Sequence, residues 1–420
     1  MKKTYSLPYG DGELQFILPE ETSAKIINPP DYPAHGDPIK LVKEVLDRPG
    51  NKIIWDEFKH SDQVAIAIND KTRPVPHEIL LSPLLNKIKQ RGINKKNIIL
   101  LIASGTHKPM LQEEINKILP HAIINNYAIE IHDCDDPQNM VYLGETKRKT
   151  PVYINKHYME ADHRIVVGDI EPHHFMGYSG GAKSAAIGLA ARITIDRNHS
   201  LLMDERSRIG NYFDNPMRQD VEEIGKMIKI DLALNAILNA QKQVAHVVAG
   251  DPISVMKEGI PLSKTICQLE IHDKYDLVIA SAGGYPKDIN LYQSQKALTH
   301  AAILVKEAGH ILLAAECREG TGSDRFEEYM MSCSSPNEVL EKMGRSDFHV
   351  GPHKAYLFAK QLVKMQISLY SLLDKNIAKR LFLNPVENFQ DFINSVIVKL
   401  PKDSKIAILP FATNTIARWD

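Results

Sequence analysis

Three groups of residues are of types and spacings that could carry chemistry. The first is Gly177-Tyr178-Ser179-Gly180-Gly181-Ala182-Lys183-Ser184. A glycine-rich turn that follows an apolar stretch, ends in Lys-Ser and opens a helix has the pattern of an anion cradle, because backbone N–H groups and a helix N-terminus favour negative charge. A P-loop carries glycine directly before its lysine, and Ala182 stands there instead. An NTP-binding protein using residues 177–184 is therefore an alternative, as is a plain turn with a surface lysine. The second group is His107, His173, His174 and His199. Histidine suits both proton transfer near neutrality and metal ligation. A zinc hydrolase competes here, but H-E-x-x-H is absent and no carboxylate sits at ligand spacing beside the His173–His174 pair. The third group is Tyr292-Gln293-Ser294-Gln295-Lys296, in which Gln293 and Lys296 share a helix face. Together with Arg73 they suit a carboxylate clamp, the arginine as a planar fork and the lysine as a point charge. A solvated helix face is the plainer reading. Asp70 either caps and orients the Arg73 loop or touches substrate, and Gly320-Thr321-Gly322 reads as a turn that could line a cleft.

The elements that must position these residues follow one rhythm. Val64–Ile68 precedes Asn69-Asp70-Lys71-Thr72-Arg73-Pro74, and a helical pattern follows from His77 to Gln90. Asn97–Ala103 precedes Ser104-Gly105-Thr106-His107. Arg164–Ile170 precedes Glu171-Pro172-His173-His174. Asp276–Ala280 precedes Ser281-Ala282-Gly283-Gly284, with a helix over Leu291–Ala302, and His310–Ala314 precedes Ala315-Glu316-Cys317-Arg318-Glu319-Gly320. Apolar β-branched runs alternating with loops and helices predict an α/β fold with mostly parallel sheets flanked by helices. Ligands in such sheets bind beyond the carboxyl ends of the strands, which is where Asp70, Arg73, His107, His173, His174 and Lys183 fall. A domain break is expected within 262–276. The expected division is residues 1–270 as an N-terminal α/β domain, 271–404 as a C-terminal α/β domain and 405–420 as a tail containing one short strand, Lys405–Leu409. Gly12–Leu18 reads as an ordinary strand.

Bulk properties narrow the class. The chain has 420 residues, enough for two or three domains. Lys+Arg is 51 and Asp+Glu is 52, a balance that predicts no nucleic-acid partner. No apolar run is long enough for a membrane span, and Met1–Gly10 shows no leader pattern. Cys134, Cys267, Cys317 and Cys333 are far apart and form no CxxC pair, so neither a zinc ribbon nor a disulfide framework is expected. Cytoplasmic location is the expectation. No internal repeat or low-complexity tract is present.

Taken together, Pro172-His173, the segment 177–183 and, sixteen residues after Lys183, Asn198-His199-Ser200 resemble the signature of the lactate racemase family. Asp70-Lys71-Thr72-Arg73-Pro74, Ser104-Gly105-Thr106-His107 and Tyr292-Gln293-Ser294-Gln295-Lys296 extend the resemblance over nearly the whole chain. The resemblance implies two α/β domains with the active site in the cleft between them. It implies a nickel-pincer nucleotide, Ni(II) pyridinium-3,5-bisthiocarboxylic acid mononucleotide, attached covalently to Lys183, with the phosphate against Ser179, Gly180 and Gly181. His199 would be the protein's nickel ligand, in keeping with the square-planar preference of Ni(II). His107 and His173 would be the alternate acid and base, with His174 one register step from His173. Asp70, Arg73, Tyr292, Gln293 and Lys296 would bind substrate. An aromatic pocket residue in the C-terminal domain falls within or just after Gly351-Pro352-His353-Lys354-Ala355-Tyr356, with Tyr356 and Phe358 as the candidates. The implied reaction is inversion at C2 of a small 2-hydroxy acid, lactate or a related acid, by reversible hydride transfer. Cofactor-maturation enzymes are the implied partners. A non-catalytic binder of hydroxy acids is the remaining alternative, and the resemblance leaves the oligomeric state open.

Overall fold

The structure is a computed structural model and describes residues 2–48, 55–73, 75–343 and 352–419. The chain divides into two compact units, one built from Met1–Asp31 with Cys267–Asp420 and the other from Tyr32–Ile266.

The Tyr32–Ile266 unit is organised on a six-stranded sheet. In spatial order its strands are Val244–Gly250, Leu232–Leu238, His163–Asp169, Val64–Asn69, Ile98–Ala103 and Ala128–Ile131. Only the Val244–Gly250 edge is antiparallel. Val64–Asn69 shows why the sheet must be covered twice. Val64, Ile66 and Ile68 point to one face, where they join the stripe Leu80, Leu81, Leu84, Leu85 and Ile88 of the helix His77–Gln90. Ala65 and Ala67 point to the other, and all five are fully buried. Burying each of those leucines and isoleucines contributes about 1.5–3 kcal/mol. Small residues on the second face leave room for the short helices Lys156–Glu160 and Lys183–Ala186.

The other unit has a six-stranded, all-parallel sheet in the order Asn384–Pro385, Gln366–Tyr370, Val305–Ala314, Tyr275–Ser281, Lys405–Leu409 and Ser23–Ile26. One face carries the helices Leu291–Leu304 and Pro352–Leu362. The other is covered by the hairpin Lys2–Tyr9/Gly12–Pro19 and the helix Phe389–Ile397, through Tyr5, Leu7, Phe16, Leu18, Phe389 and Ile393. Gly10 makes the hairpin turn at φ +55, and a Cβ there would lie 2.7 Å from the Glu316 carboxylate.

Both sheets are parallel and helix-flanked, as the alternation of runs predicts. The division of the chain differs from the expected one. Met1–Asp31 packs with the C-terminal unit, since Ser23–Ile26 pairs with Lys405–Leu409. Residues 405–420 are no tail, because Lys405–Leu409 is an interior strand with neighbours on both sides. The break expected within 262–276 is where the two units divide, between Ile266 and Cys267 at the end of the helix Pro252–Cys267. Pairing between parallel strands leaves no mark on local pattern, so neither chain end announces its partners. Pro74 and Gly351, both within motifs singled out above, lie outside the described residues.

Candidate active site

Three neighbouring parallel strands of the Tyr32–Ile266 unit deliver the site. Val64–Asn69 hands over directly to Asp70, Ile98–Ala103 to the loop holding His107, and His163–Asp169 to Glu171 and His173. All three loops leave from the same end of the sheet, beyond the strand carboxyl ends, as expected for ligand sites in such sheets.

The first loop is pinned by its own aspartate. Asp70 Oδ1 accepts from the Thr72 backbone N–H at 3.1 Å and from Thr72 Oγ1 at 2.6 Å. Its Oδ2 meets His107 Nδ1 at 2.7 Å. Burial pushes the Asp70 carboxyl up, yet the His107 ring and the two Thr72 hydrogen bonds outweigh it and pull it down to about 2. A carboxylate at Nδ1 fixes the His107 tautomer: Nδ1 carries the proton, and Nε2 presents the lone pair.

Arg73 follows in the same loop. Its Nη1 donates to Glu171 Oε1 at 2.7 Å, with the side chains only 9% and 11% exposed. Burial opposes the charge, but the carboxylates of Glu171, Asp169 and Asp70 prevail and raise the guanidinium pKa.

His173 lies on the two-residue strand Pro172–His173, paired with Gly177–Tyr178. Its Nδ1 accepts from the Met176 backbone N–H at 3.3 Å. That assigns the neutral ring a proton on Nε2, the opposite of His107. His174 is buried beside it, the rings stacked at 4.6 Å, and both touch Phe175 edge-on. Phe175 also meets the His199 ring at 5.5 Å. His199 sits on the helix Arg192–Ser200, its Nδ1 donating to the Ile195 carbonyl at 2.9 Å, which leaves Nε2 as the basic nitrogen. This is the tautomer a metal-ligating histidine needs.

Lys183 opens a four-residue helix and is half-buried. Among the described residues its Nζ makes no hydrogen bond or ion pair. Burial, then the cations Arg73 and Arg218, lower its pKa to about 7, only partly offset by Asp169 and Glu171. The result is an amine that is substantially neutral at physiological pH.

The glycine-rich turn before it is shaped by packing. Gly180 (φ +85) and Gly181 (φ +57) lie so close to their surroundings that a Cβ would meet Ile170 at 2.6 Å and Met256 at 2.7 Å. The Gly181 N–H donates to Asn235 Oδ1 at 2.9 Å. Ser179 Oγ donates to the Asp169 carbonyl and accepts the Glu171 N–H, both at 2.9 Å. Ser179 and Gly181 thus direct polar groups at the protein itself, and what they visibly do is set the path into Lys183.

One decisive residue was not singled out from sequence. Arg218 is completely buried, and its guanidinium donates to the carbonyls of Tyr178 (3.1 Å) and Gly180 (2.9 Å) and pairs with Glu222 at 2.7 Å. Arg218 and Glu222, four apart on the helix Pro216–Ile228, have the spacing of a solvent-exposed helix pair. Their position beside the apolar stripe Met217, Val221, Ile224 and Ile228 was the available signal. Glu171 is likewise more than a loop residue, as its contact with Arg73 shows.

The remaining candidates belong to the other unit. Asn290 caps the helix Leu291–Leu304 by accepting the Gln293 N–H. Lys296 Nζ donates to Gln293 Oε1 at 2.6 Å, so these two do share a face. The Lys354 ammonium lies 4.7 Å from the Tyr292 ring centroid and donates to Gln295 Oε1 at 3.1 Å. Phe358 is committed to the core against Phe326, which removes it as a pocket aromatic, while Tyr356 is half-buried. The turn at Gly320–Gly322 meets the helix start, its Gly320 and Thr321 carbonyls accepting the N–H groups of Leu291 and Tyr292.

An α/β enzyme with a buried arginine, paired histidine and carboxylate, and an activated lysine at the strand ends invites comparison with known proteins. A family model for the lactate racemase N-terminal domain matches residues 9–210, and one for the lactate racemase C-terminal domain matches residues 271–416. The lactate racemase of Thermoanaerobacterium thermosaccharolyticum is 28% identical over 421 residues, covering 98% of both chains. That of Lactiplantibacillus plantarum is 29% identical over 386 residues, covering 90% of this chain and 91% of its own. The structure of the lactate racemase apoprotein from Thermoanaerobacterium thermosaccharolyticum superposes with a TM-score of 0.89 over 99% of this chain and 100% of that one, at 28% identity. A Thermotoga maritima protein, 18% identical, shares the fold with a TM-score of 0.73 over 93% of this chain and 100% of its own. The chain belongs to the lactate racemase family, and it is an isomerase of the racemase class. Among the described residues no helix is long and apolar enough to cross a membrane.

Proposed function

We propose that this enzyme inverts C2 of a small 2-hydroxy acid, lactate or a close relative, with a nickel-pincer nucleotide attached to Lys183 and ligated by His199. The observation that carries the reading is the Lys183 amine, held with a pKa of about 7 in the loop that begins at His173. A lysine must be neutral to form an amide-type bond, and one of ordinary pKa is almost wholly protonated at pH 7. The residues fit the group on a second count, since His199 presents Nε2 with its other nitrogen anchored on Ile195.

When bound, that group supplies a reversible acceptor for the C2 hydride. The chain's own residues do the rest. For the carboxylate and hydroxyl of the acid, Arg73 and Asp70 are the holding residues, with Tyr292, Gln293 and Lys296 as further substrate-binding candidates. His107 Nε2, basic because Asp70 holds Nδ1, takes the hydroxyl proton from one enantiomer. On the other path His173 starts as the imidazolium, returns a proton to the carbonyl oxygen and is left neutral. Each passage leaves the pair with its protons exchanged, ready for the reverse direction. Maturation enzymes that build the nucleotide are the expected partners.

The NTP-binding alternative loses ground to the turn's geometry, because the Gly181 N–H is already bonded to Asn235 and the glycines are packed inward. The test is intact mass and nickel content of protein made alongside cofactor-building enzymes, for wild type and Lys183→Ala, followed by a chiral screen of 2-hydroxy acids. A covalent adduct with about one nickel, present only with Lys183, and racemisation of at least one acid are expected. Bare wild-type protein from a host that loads another family member would refute the cofactor assignment. Loaded protein that binds acids without turning them over would favour a binding protein.

A further inference from the structure

Glu171 is buried in the site, yet nothing in the chemistry above uses it. Its contact with Arg73 is end-on, through Nη1 alone. A guanidinium has five N–H donors, so four are left once that bond is made. Both ends of the pair are rigid. The Glu171 backbone is tied to Ser179 twice, its N–H donating to Oγ at 2.9 Å and its carbonyl accepting the Ser179 N–H at 2.8 Å. The Arg73 N–H donates to the Asp70 carbonyl at 3.2 Å, inside the turn that Asp70 and Thr72 close. An arginine side chain carries about 2 kcal/mol of rotamer entropy, and here a fixed carboxylate removes that freedom before any ligand arrives. Glu171 is also two residues from His173. One short segment therefore sets both the direction of the arginine fork and the place of a proton-transfer group.

The charge works in the opposite sense to the geometry. A carboxylate on Arg73 cancels much of the attraction that the guanidinium would exert on an anion. If raw affinity were the object, a neutral partner would serve better. A charged one is justified where orientation matters more, because a charge-assisted hydrogen bond is roughly twice as strong as a neutral one.

We propose that Glu171 is a positioning residue for the racemase reaction: it holds Arg73 end-on, with the rest of the fork turned to the substrate carboxylate and in register with His173, while weakening the attraction of Arg73 for anions. This rests on the 2-hydroxy acid reading given above.

The test compares Glu171→Gln and Glu171→Ala with wild type in cofactor-loaded enzyme, acting on the acid that the chiral screen identifies. Glutamine is isosteric and can still accept through Oε1. It should keep kcat within about threefold and lower KM about three- to tenfold, as repulsion of the substrate carboxylate is removed. Alanine frees the fork and should lower kcat about ten- to a hundredfold. A second measurement uses unloaded protein and the arginine reagent phenylglyoxal, with modification at Arg73 read by peptide mass spectrometry. Alanine should accelerate modification clearly and glutamine only slightly. The proposal is overturned if both variants match wild type in KM, kcat and Arg73 reactivity. It is equally overturned if glutamine loses as much kcat as alanine, since a hydrogen-bonded amide should still hold the fork. Should wild-type enzyme turn over no 2-hydroxy acid, the functional reading fails, and the phenylglyoxal comparison alone still decides whether Glu171 holds Arg73.

Discussion

The Lys183 amine offers the sharpest quantitative check. With a pKa of about 7 it is neutral in roughly half the molecules at pH 7, whereas a lysine at the ordinary 10.5 is neutral in roughly one in 3,000. Lower basicity also lowers intrinsic nucleophilicity. With a Brønsted slope of about 0.5, the value known for thiols, the loss is about fiftyfold, leaving a net advantage of roughly thirtyfold over an exposed lysine at pH 7. The assay is acetylation of unloaded protein by acetic anhydride at trace level, from pH 5 to 11, with each lysine's rate read by peptide mass spectrometry. The rate at Lys183 should reach half its plateau near pH 7, while a lysine of ordinary pKa keeps rising past pH 9. Arg73→Met should move the Lys183 midpoint upward for two reasons: it removes a neighbouring cation, and it leaves the Glu171 carboxylate to attract the protonated amine. A wild-type midpoint above pH 9 would refute the argument, because it would mean that neither burial nor the two arginines acts on this amine as the geometry requires.

Three further outcomes are expected. Asp70 is held at about 2, below its ordinary 3.8, so its ionised form adds stability above about pH 4 that is lost as the pH falls toward 2. The stability difference between wild type and Asp70→Asn should therefore shrink by about 2 kcal/mol between pH 5 and pH 2 in urea titrations, and a constant difference would contradict this. Arg218→Met leaves Glu222 buried without its cation and two loop carbonyls without donors, at about 3–5 kcal/mol; a thermal melt within 2 °C of wild type would show that Arg218 does not hold the loop. Gly181→Ala combines a left-handed backbone at φ +57 with a Cβ 2.7 Å from Met256, and should destabilise by about 2 kcal/mol or more in the same titration.

The helix His77–Gln90 and the strand Lys405–Leu409 match the sequence expectation residue for residue, because stripe and run are local signals. The loop residues Asp70, His107 and His173 were legible for a related reason: each follows an apolar run by a few positions, and parallel sheets bring such positions to one end. Asp70 capping its own turn could be anticipated, since Asp at a turn start bonds two residues on. That the same carboxylate also holds His107, thirty-seven residues away, could not.

What the sequence by itself determined is the alternation of strand, loop and helix, the α/β class, and the family to which the motifs point. Only the tertiary structure decided where both chain ends go. It also made Arg218 a buried support rather than a surface charge, drew Glu171 onto Arg73, and turned Lys183 from a surface-type lysine into an amine poised near neutrality. The physical reason is the same in each case. Periodicity and turn chemistry are written in adjacent residues, whereas parallel pairing, burial of a charge and the field around an amine depend on groups far apart in the chain, which meet only once the sheet has formed.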